Sequence, residues 1–357
     1  MRKELTYSFD ILTPMFSAGA DPRGKAEIRA SEIRGELRWW LRALGGFKND
    51  HRSVAEQEAF LFGSVHGDCS RSHVIVRVVE SLKLRQDVQD AQGLNAAVGT
   101  PLGYLLFPLR SNEKRGAYSG RAYFMPNDLK AAAFSVTVQV DGSNDESSNV
   151  NALMTVFGKL GAMGFRSRRC MGAVDFHGTS PMPLADALQM FAKPGNVVCK
   201  QLNGAYDDPL KCVECLAKWL QGWRSHGRTS VGLSNGPGFP YAKQDHDAGF
   251  DESINNTYRP AIGLPIIQQY SSGEKRKNEW EGSGFGRFAS PVILRTYRGE
   301  DGKIMPVVIF ADVYAWREEQ KAKIVRDRKN HIERTVDVSL DLYQAMKGDR
   351  ALRSVAW

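Results

Sequence analysis

The residues most able to do chemistry in this sequence are arginines, and they cluster in two places. In the first, Arg34, Arg38 and Arg42 recur four residues apart, with Arg29 just upstream. At 100° per residue, Ile33, Leu37, Trp40, Leu41 and Leu44 fall on one narrow stripe that must face a core, and the arginine ladder runs beside it. Trp39 falls away from that stripe, near Glu32 and Glu36. Guanidinium groups spaced in this way can grip phosphates by paired hydrogen bonds. The same spacing also suits a solvated helix face whose arginine stems cover apolar surface, with the neighbouring glutamates offsetting the charge. In the second place, GAMGFRSRRCMGAV, Gly161, Gly164 and Gly172 bracket Arg166, Ser167, Arg168 and Arg169, with no acidic residue in between. Glycines permit positive φ and close backbone approach. Successive amides in such a loop can form an anion nest. Crowded arginines point to an anion that a simple helix cap and turn would not require.

Other constellations are thinner. Asp21, in a loop with ordinary turn chemistry, is a conceivable metal-dependent catalytic carboxylate, and His66 a conceivable general base. The Cys212-x-x-Cys215 pair lacks the second pair that a structural zinc site needs, and it lies in a helical stretch where cysteine packs as a small hydrophobe. The sequence has no P-loop, no dinucleotide fingerprint, no nucleophile elbow and no paired-carboxylate spacing. No cofactor and no metal is expected.

These groups need a frame. Leu5 to Leu12 alternates like a strand, and the arginine helix follows over Ser31 to Leu44, ending on Gly45-Gly46. A short helix is expected over Val54 to Phe62, with strands at Val74 to Val79, Tyr104 to Leu109 and Phe134 to Val140. Val150, Leu153, Phe157 and Leu160 recur at helical spacing before the Gly- and Arg-rich loop and a short strand, Ala173 to Phe176. The order strand, helix, strands, helix, strand fits a ferredoxin-like βαββαβ unit with a decorated middle. A doubly wound fold would need more helices alternating with strands. A connection follows, then a helix over Asp208 to Trp223, a Gly- and Pro-rich loop over Gly227 to Asn256, strands in AIGLPI, SPVILRTY and PVVIFADVY, and a charged helix over Ala315 to Arg334. The expected class is α+β, with two ferredoxin-like (RRM-like) domains in tandem and long insertions. The expected boundaries are 1–178 for the first domain, 179–195 for a linker and 196–357 for the second.

With 357 residues, 42% hydrophobic and 25% charged, the chain can build a real core. No apolar run is long enough to span a membrane, the N-terminal stretch does not resemble a signal peptide, and five irregularly spaced cysteines do not suit a secreted disulfide framework. A cytoplasmic protein is expected. The net charge of +8 permits a polyanionic partner without demanding one.

The stretch TPMFSAGADPRGKAEIRASEIRGELRWWLRA, then Phe62-Gly63-Ser64, then GFRSRRCMGAV, together resemble the RAMP superfamily of CRISPR proteins. Trp39-Trp40 after EIRGELR is most similar to the first-subunit family of the type III-B (Cmr) RNA-targeting complex. AIGLPI and GRFASPVILR extend the resemblance into the second half, while 178–260 is covered weakly. Cys170-Met171-Gly172 departs from the usual pattern by replacing one small position, and the loop has no lysine. The resemblance implies a non-catalytic RNA-binding subunit that contacts CRISPR RNA, near its 3′ region, and target RNA beside other subunits of the complex. Arg29, Arg34, Arg38, Trp39, Arg42, Gly164, Arg166, Ser167, Arg168 and Arg169 would then face the RNA. The alternative is a RAMP-type endoribonuclease acting on target or precursor CRISPR RNA through Asp21 or His66.

Overall fold

The computed structural model describes residues 2–65, 70–80, 86–87, 100–106, 121–127, 130–225, 236–269, 277–326 and 332–355. His66, His226 and much of the expected Tyr104 to Leu109 strand lie outside them. In chain order the first half holds β1 (Arg2–Ile11), α1 (Ala30–Ala43), α2 (Val54–Phe62), β2 (Val74–Glu80), β3 (Gln86–Asp87), α3 (Pro101–Leu105), β4 (Tyr123–Phe124), β5 (Phe134–Asp141), α4 (Asn144–Leu160) and β6 (Val174–Phe176). After α5 (Leu184–Gln189) come β7 (Val197–Leu202), α6 (Pro209–Arg224), α7 (Phe239–Ala248), β8 (Asn256–Thr257), β9 (Ile266–Gln269), β10 (Lys277–Gly282), β11 (Val292–Arg298), β12 (Ile304–Ala311), β13 (Ala322–Arg326), β14 (Ile332–Val338), α8 (Asp341–Lys347) and β15 (Leu352–Ser354).

Two four-stranded antiparallel sheets form the frame, in the orders β2-β5-β1-β6 and β11-β12-β7-β15. In each, the spatial order is the second, third, first and fourth of its own strands. A five-stranded sheet, β8-β14-β13-β10-β9, is assembled from segments inserted on either side of the β11–β12 hairpin. Period-two alternation drives the first sheet: Val136, Val138 and Val140 of β5 are buried, as are Tyr7, Phe9 and Ile11 of β1, and these side chains meet α1 and α4. β12 is apolar almost throughout because it is covered on both faces. Val307 and Ile309 enter the first core, while Val308 and Phe310 enter the second with α6 and α8. Leu184, Ala187 and Phe191 of the connecting segment also pack into the first core.

Four local expectations are corrected. AIGLPI, expected as a strand, begins in a 3-10 turn over Arg259–Ile262, and β9 starts only at its last residue, Ile266. The segment expected as a helix over Ala315 to Arg334 contains strands β13 and β14, because Ala322, Ile324 and Val336 bury with period two. Tyr104 and Leu105 close the short helix α3, which starts on Pro101 after the Thr100 cap, in place of a strand. Part of the expected Gly227 to Asn256 loop is α7, whose Ala242, Asp245 and Ala248 are buried. Among the described residues, no helix is long and apolar enough to cross a membrane.

Candidate nucleic-acid interface

The first arginine segment forms α1, and its stripe of Ile33, Leu37, Trp40 and Leu41 is buried as the spacing requires. Arg29 is exposed at its N-terminus, and no side chain caps the helix there. The ladder lies along α2. Arg34 donates to the Phe62 carbonyl at 2.6 Å, and Arg38 donates to the carbonyls of Phe62 at 2.7 Å and Gly63 at 2.9 Å. These carbonyls end α2, where orphan acceptors and the negative end of the helix dipole favour cations. Arg42 reaches Glu58 at 2.7 Å, and Arg38 stands 3.6 Å from the same carboxylate. The ladder therefore fixes α2 against α1 while its outer side stays accessible.

The second segment forms a loop that turns its arginines inward. The Arg166 Nε donates to the Leu105 carbonyl at 2.8 Å. Arg168 donates to the Ser290 carbonyl at 2.7 Å, and Arg169 to the Val292 carbonyl at 2.8 Å. The Leu294 amide bonds back to the Arg168 carbonyl, and the Cys170 amide to the Leu294 carbonyl, so the loop runs beside β11. Arg166 and Cys170 adopt positive φ, 69° and 68°. The required glycines are explained by backbone crowding: a Cβ on Gly172 would lie 1.8 Å from the Met163 carbonyl oxygen, and one on Gly164 would lie 2.7 Å from that of Phe16. Their close approach is to this chain's own backbone. The Ser167 amide bonds to the Gly164 carbonyl, completing the turn. Cys170 and Met171 are fully buried.

The two segments meet at Trp39. Its ring stacks on Tyr314 with centroids 5.4 Å apart, and the Arg168 guanidinium carbon lies 5.3 Å from the ring centroid. Glu32 lies at the same junction, accepting from the Ser17 hydroxyl. Beneath it, burial pushes the Glu36 carboxyl up to about 7, against the opposing pull of Arg168 and Arg295. Arg295 is fully buried and donates to carbonyls of Gly158, Lys159 and Val174, capping the end of α4. Burial, reinforced by Arg224, pushes Arg169 down to about 9, so it still carries its charge at neutral pH.

Tyr314, Arg295 and the carbonyls of Ser290 and Val292 come from the second half and were not singled out from sequence. One signal was present: Arg295 interrupts an apolar strand, VILRTYR, at a position facing a helix. Phe165 is the side chain of the loop that points outward, with the Arg121 guanidinium over its ring. Asp21 accepts hydrogen bonds from the amides of Gly24 at 2.8 Å and Arg23 at 3.2 Å, a local turn. Cys212 is buried within α6, and burial raises its thiol pKa. Among the described residues, no three His, Cys, Asp or Glu side chains gather where they would hold a metal ion.

This arrangement of an N-terminal strand, an arginine helix and a Gly- and Arg-rich loop coincides with the region matched by the RAMP superfamily model, residues 8–175. The CRISPR system Cmr subunit Cmr1-2 of Pyrococcus furiosus is 30% identical over 185 residues, covering 48% of this chain and 94% of that protein. Cmr1-1 of the same organism is 31% identical over 166 residues, covering 45% of this chain and 44% of that protein. The crystal structure of apo Cmr1 from P. furiosus superposes with a TM-score of 0.51 at 16% identity, covering 89% of this chain and 88% of that one, a likeness of fold. The chain belongs to the RAMP superfamily, and within it to the Cmr1 family of the type III-B CRISPR system.

Proposed function

We propose that this chain is a non-catalytic RNA-binding subunit of a type III-B CRISPR interference complex. It acts in the cytoplasm beside other subunits and contacts CRISPR RNA, in its 3′ region, or the target RNA paired with it. We read it as two ferredoxin-like domains, 1–178 and 196–357, joined by 179–195; the shared strand order of the two main sheets supports this division. The observation that carries the functional reading is the junction at Trp39, where Arg168 and Tyr314 hold the arginine helix against the Gly-rich loop. That junction converts two distant stretches of sequence into one surface. Along it, Arg29 and Arg42 are exposed and Arg34 and Arg38 are half-buried. Arg23 and Lys25 add exposed charge on the preceding loop, with no ion pair among the described residues. In this reading Arg29, Arg34, Arg38 and Arg42 meet phosphates. Gly164, Arg166, Ser167, Arg168 and Arg169 shape the loop, and Trp39 locks it to the helix. Base pairing between guide and target supplies sequence selection, so phosphate contacts suffice.

The test is RNA binding by the Arg29→Ala, Arg42→Ala double variant. Affinity should fall roughly tenfold, by similar factors for unrelated single strands. The slope of log affinity against log salt should shrink by about 0.7 for each phosphate that is no longer neutralised. Unchanged affinity and slope would reject the helix as the RNA-facing surface. Negligible affinity of the wild-type protein at low salt would make it a protein-only scaffold. Discrete RNA cleavage, abolished in Asp21→Ala or His66→Ala, would overturn the non-catalytic assignment.

A further inference from the structure

Phe165 sits awkwardly for an apolar side chain. It is 36% exposed, whereas Phe9, Phe124, Phe134 and Phe157 are all below 2%. A single exposed phenylalanine is ordinary on a protein surface; its mounting is not. Its amide bonds to the Phe16 carbonyl at 2.9 Å, tying it to the segment after β1. The residues on either side, Gly164 and Arg166, both adopt positive φ, at 86° and 69°. For Arg166 that conformation is intrinsically unfavourable, and its side chain is anchored on the Leu105 carbonyl. The backbone that carries the exposed ring is therefore fixed on both sides of Phe165. The Arg121 guanidinium carbon lies 4.4 Å from the ring centroid, a cation–π arrangement. The amide after Arg121, that of Ala122, bonds to the Pro22 carbonyl at 3.1 Å. This brings the exposed cations Arg23 and Lys25 to the same loop cluster.

A rigid aromatic face with an arginine beside it and cations nearby is the chemistry of single-strand recognition: bases stack on the ring while guanidinium and ammonium groups follow the backbone. We propose that Phe165, together with Arg121, is a stacking platform for one unpaired base. Its ligand class is single-stranded RNA with little base preference, since every base offers a π face. The inference rests on the RNA-binding reading above and adds to it an interaction made with a base and not with phosphate. A duplex, whose bases are already stacked on one another, would not engage the platform.

The experiment compares short single-stranded RNA with an abasic strand of equal length and charge, each titrated against the full chain and its variants. Phe165→Ala should lower affinity for the base-bearing strand roughly tenfold and leave the abasic strand unchanged. Phe165→Leu keeps apolar bulk without a π face and should fall alongside Phe165→Ala, while Phe165→Trp should retain or exceed wild-type affinity. Matching thermal unfolding of the variants would show that the fold is intact, as expected for a substitution at an exposed ring. If the wild type binds RNA but Phe165→Ala weakens base-bearing and abasic strands equally, or weakens neither, the platform is refuted and the phosphate reading stands. If the wild type binds neither strand, the RNA-binding reading fails and the platform with it.

Discussion

The Gly- and Arg-rich loop and the arginine helix look alike as sequence and behave differently in three dimensions. In the loop, Arg166, Arg168 and Arg169 point into the protein and donate to backbone carbonyls of α3, of the segment leading into β11 and of the first residue of β11. On α1, Arg34 and Arg38 donate to the carbonyls that end α2, and Arg38 and Arg42 share the Glu58 carboxylate. The distinction is one of available acceptors. A loop laid beside a strand meets carbonyls that no ladder partner satisfies, and a buried guanidinium answers several of them at once. A helix has used its own carbonyls internally, so its arginines turn to a neighbour's terminus or to solvent. Local arginine density is thus a poor guide to where an anion binds.

The comparison can be broken most directly at Arg169. Arg169→Met should destabilise the protein by about 3 kcal/mol, because the two charge-assisted hydrogen bonds from its guanidinium to the Arg168 and Val292 carbonyls disappear. Urea unfolding would measure this, and a change below about 1 kcal/mol would mean the loop does not depend on that anchor. Glu36, at the junction of the two regions, should give the next largest effect. Its folded pKa of about 7 lies above the ordinary 4.5, so the folded state holds the proton more tightly than the unfolded state. Its stabilising contribution is then complete in acid, below about 4.5, and is lost as pH rises through about 7. The wild type should lose about 2 kcal/mol relative to Glu36→Gln between about pH 5 and about pH 8. Parallel stability profiles for the two proteins would show that Glu36 is not a stressed group. The smallest effect is expected on the helix: Arg42→Met should alter stability by no more than about 0.5 kcal/mol, as for other surface pairs. A large loss there would erase the contrast, placing the α1 ladder among the structural arginines.

Much of the frame was legible in advance. The strands Leu5 to Leu12 and Phe134 to Val140, the helices over Ser31 to Leu44 and Val54 to Phe62, and the helical spacing from Val150 to Leu160 all carry strong periodicity. All are present with ends shifted by a few residues. The hairpin of β13 and β14 reads as a solvated helix because its charges are dense, while its alternation rests on a few apolar residues. The candidate site was legible as two segments but not as an arrangement. That Trp39 would stack on Tyr314, or that Ser290 and Val292 would supply the acceptors for Arg168 and Arg169, depends on pairings between residues more than 100 positions apart.

Periodicity of apolar residues, glycine at positions of forbidden φ and the run of arginines are properties of neighbouring residues, and they were enough to define the elements and to mark the two charged segments. Whether a given guanidinium faces water or a carbonyl is decided by which strand ends up beside it. The inward turn of Arg168 and Arg169 therefore belongs to the packing of the β11 segment against the first half, while Arg166 and the ring of Phe165 are set by Leu105, Phe16 and Arg121, because burial and hydrogen-bond satisfaction are settled only once distant elements meet.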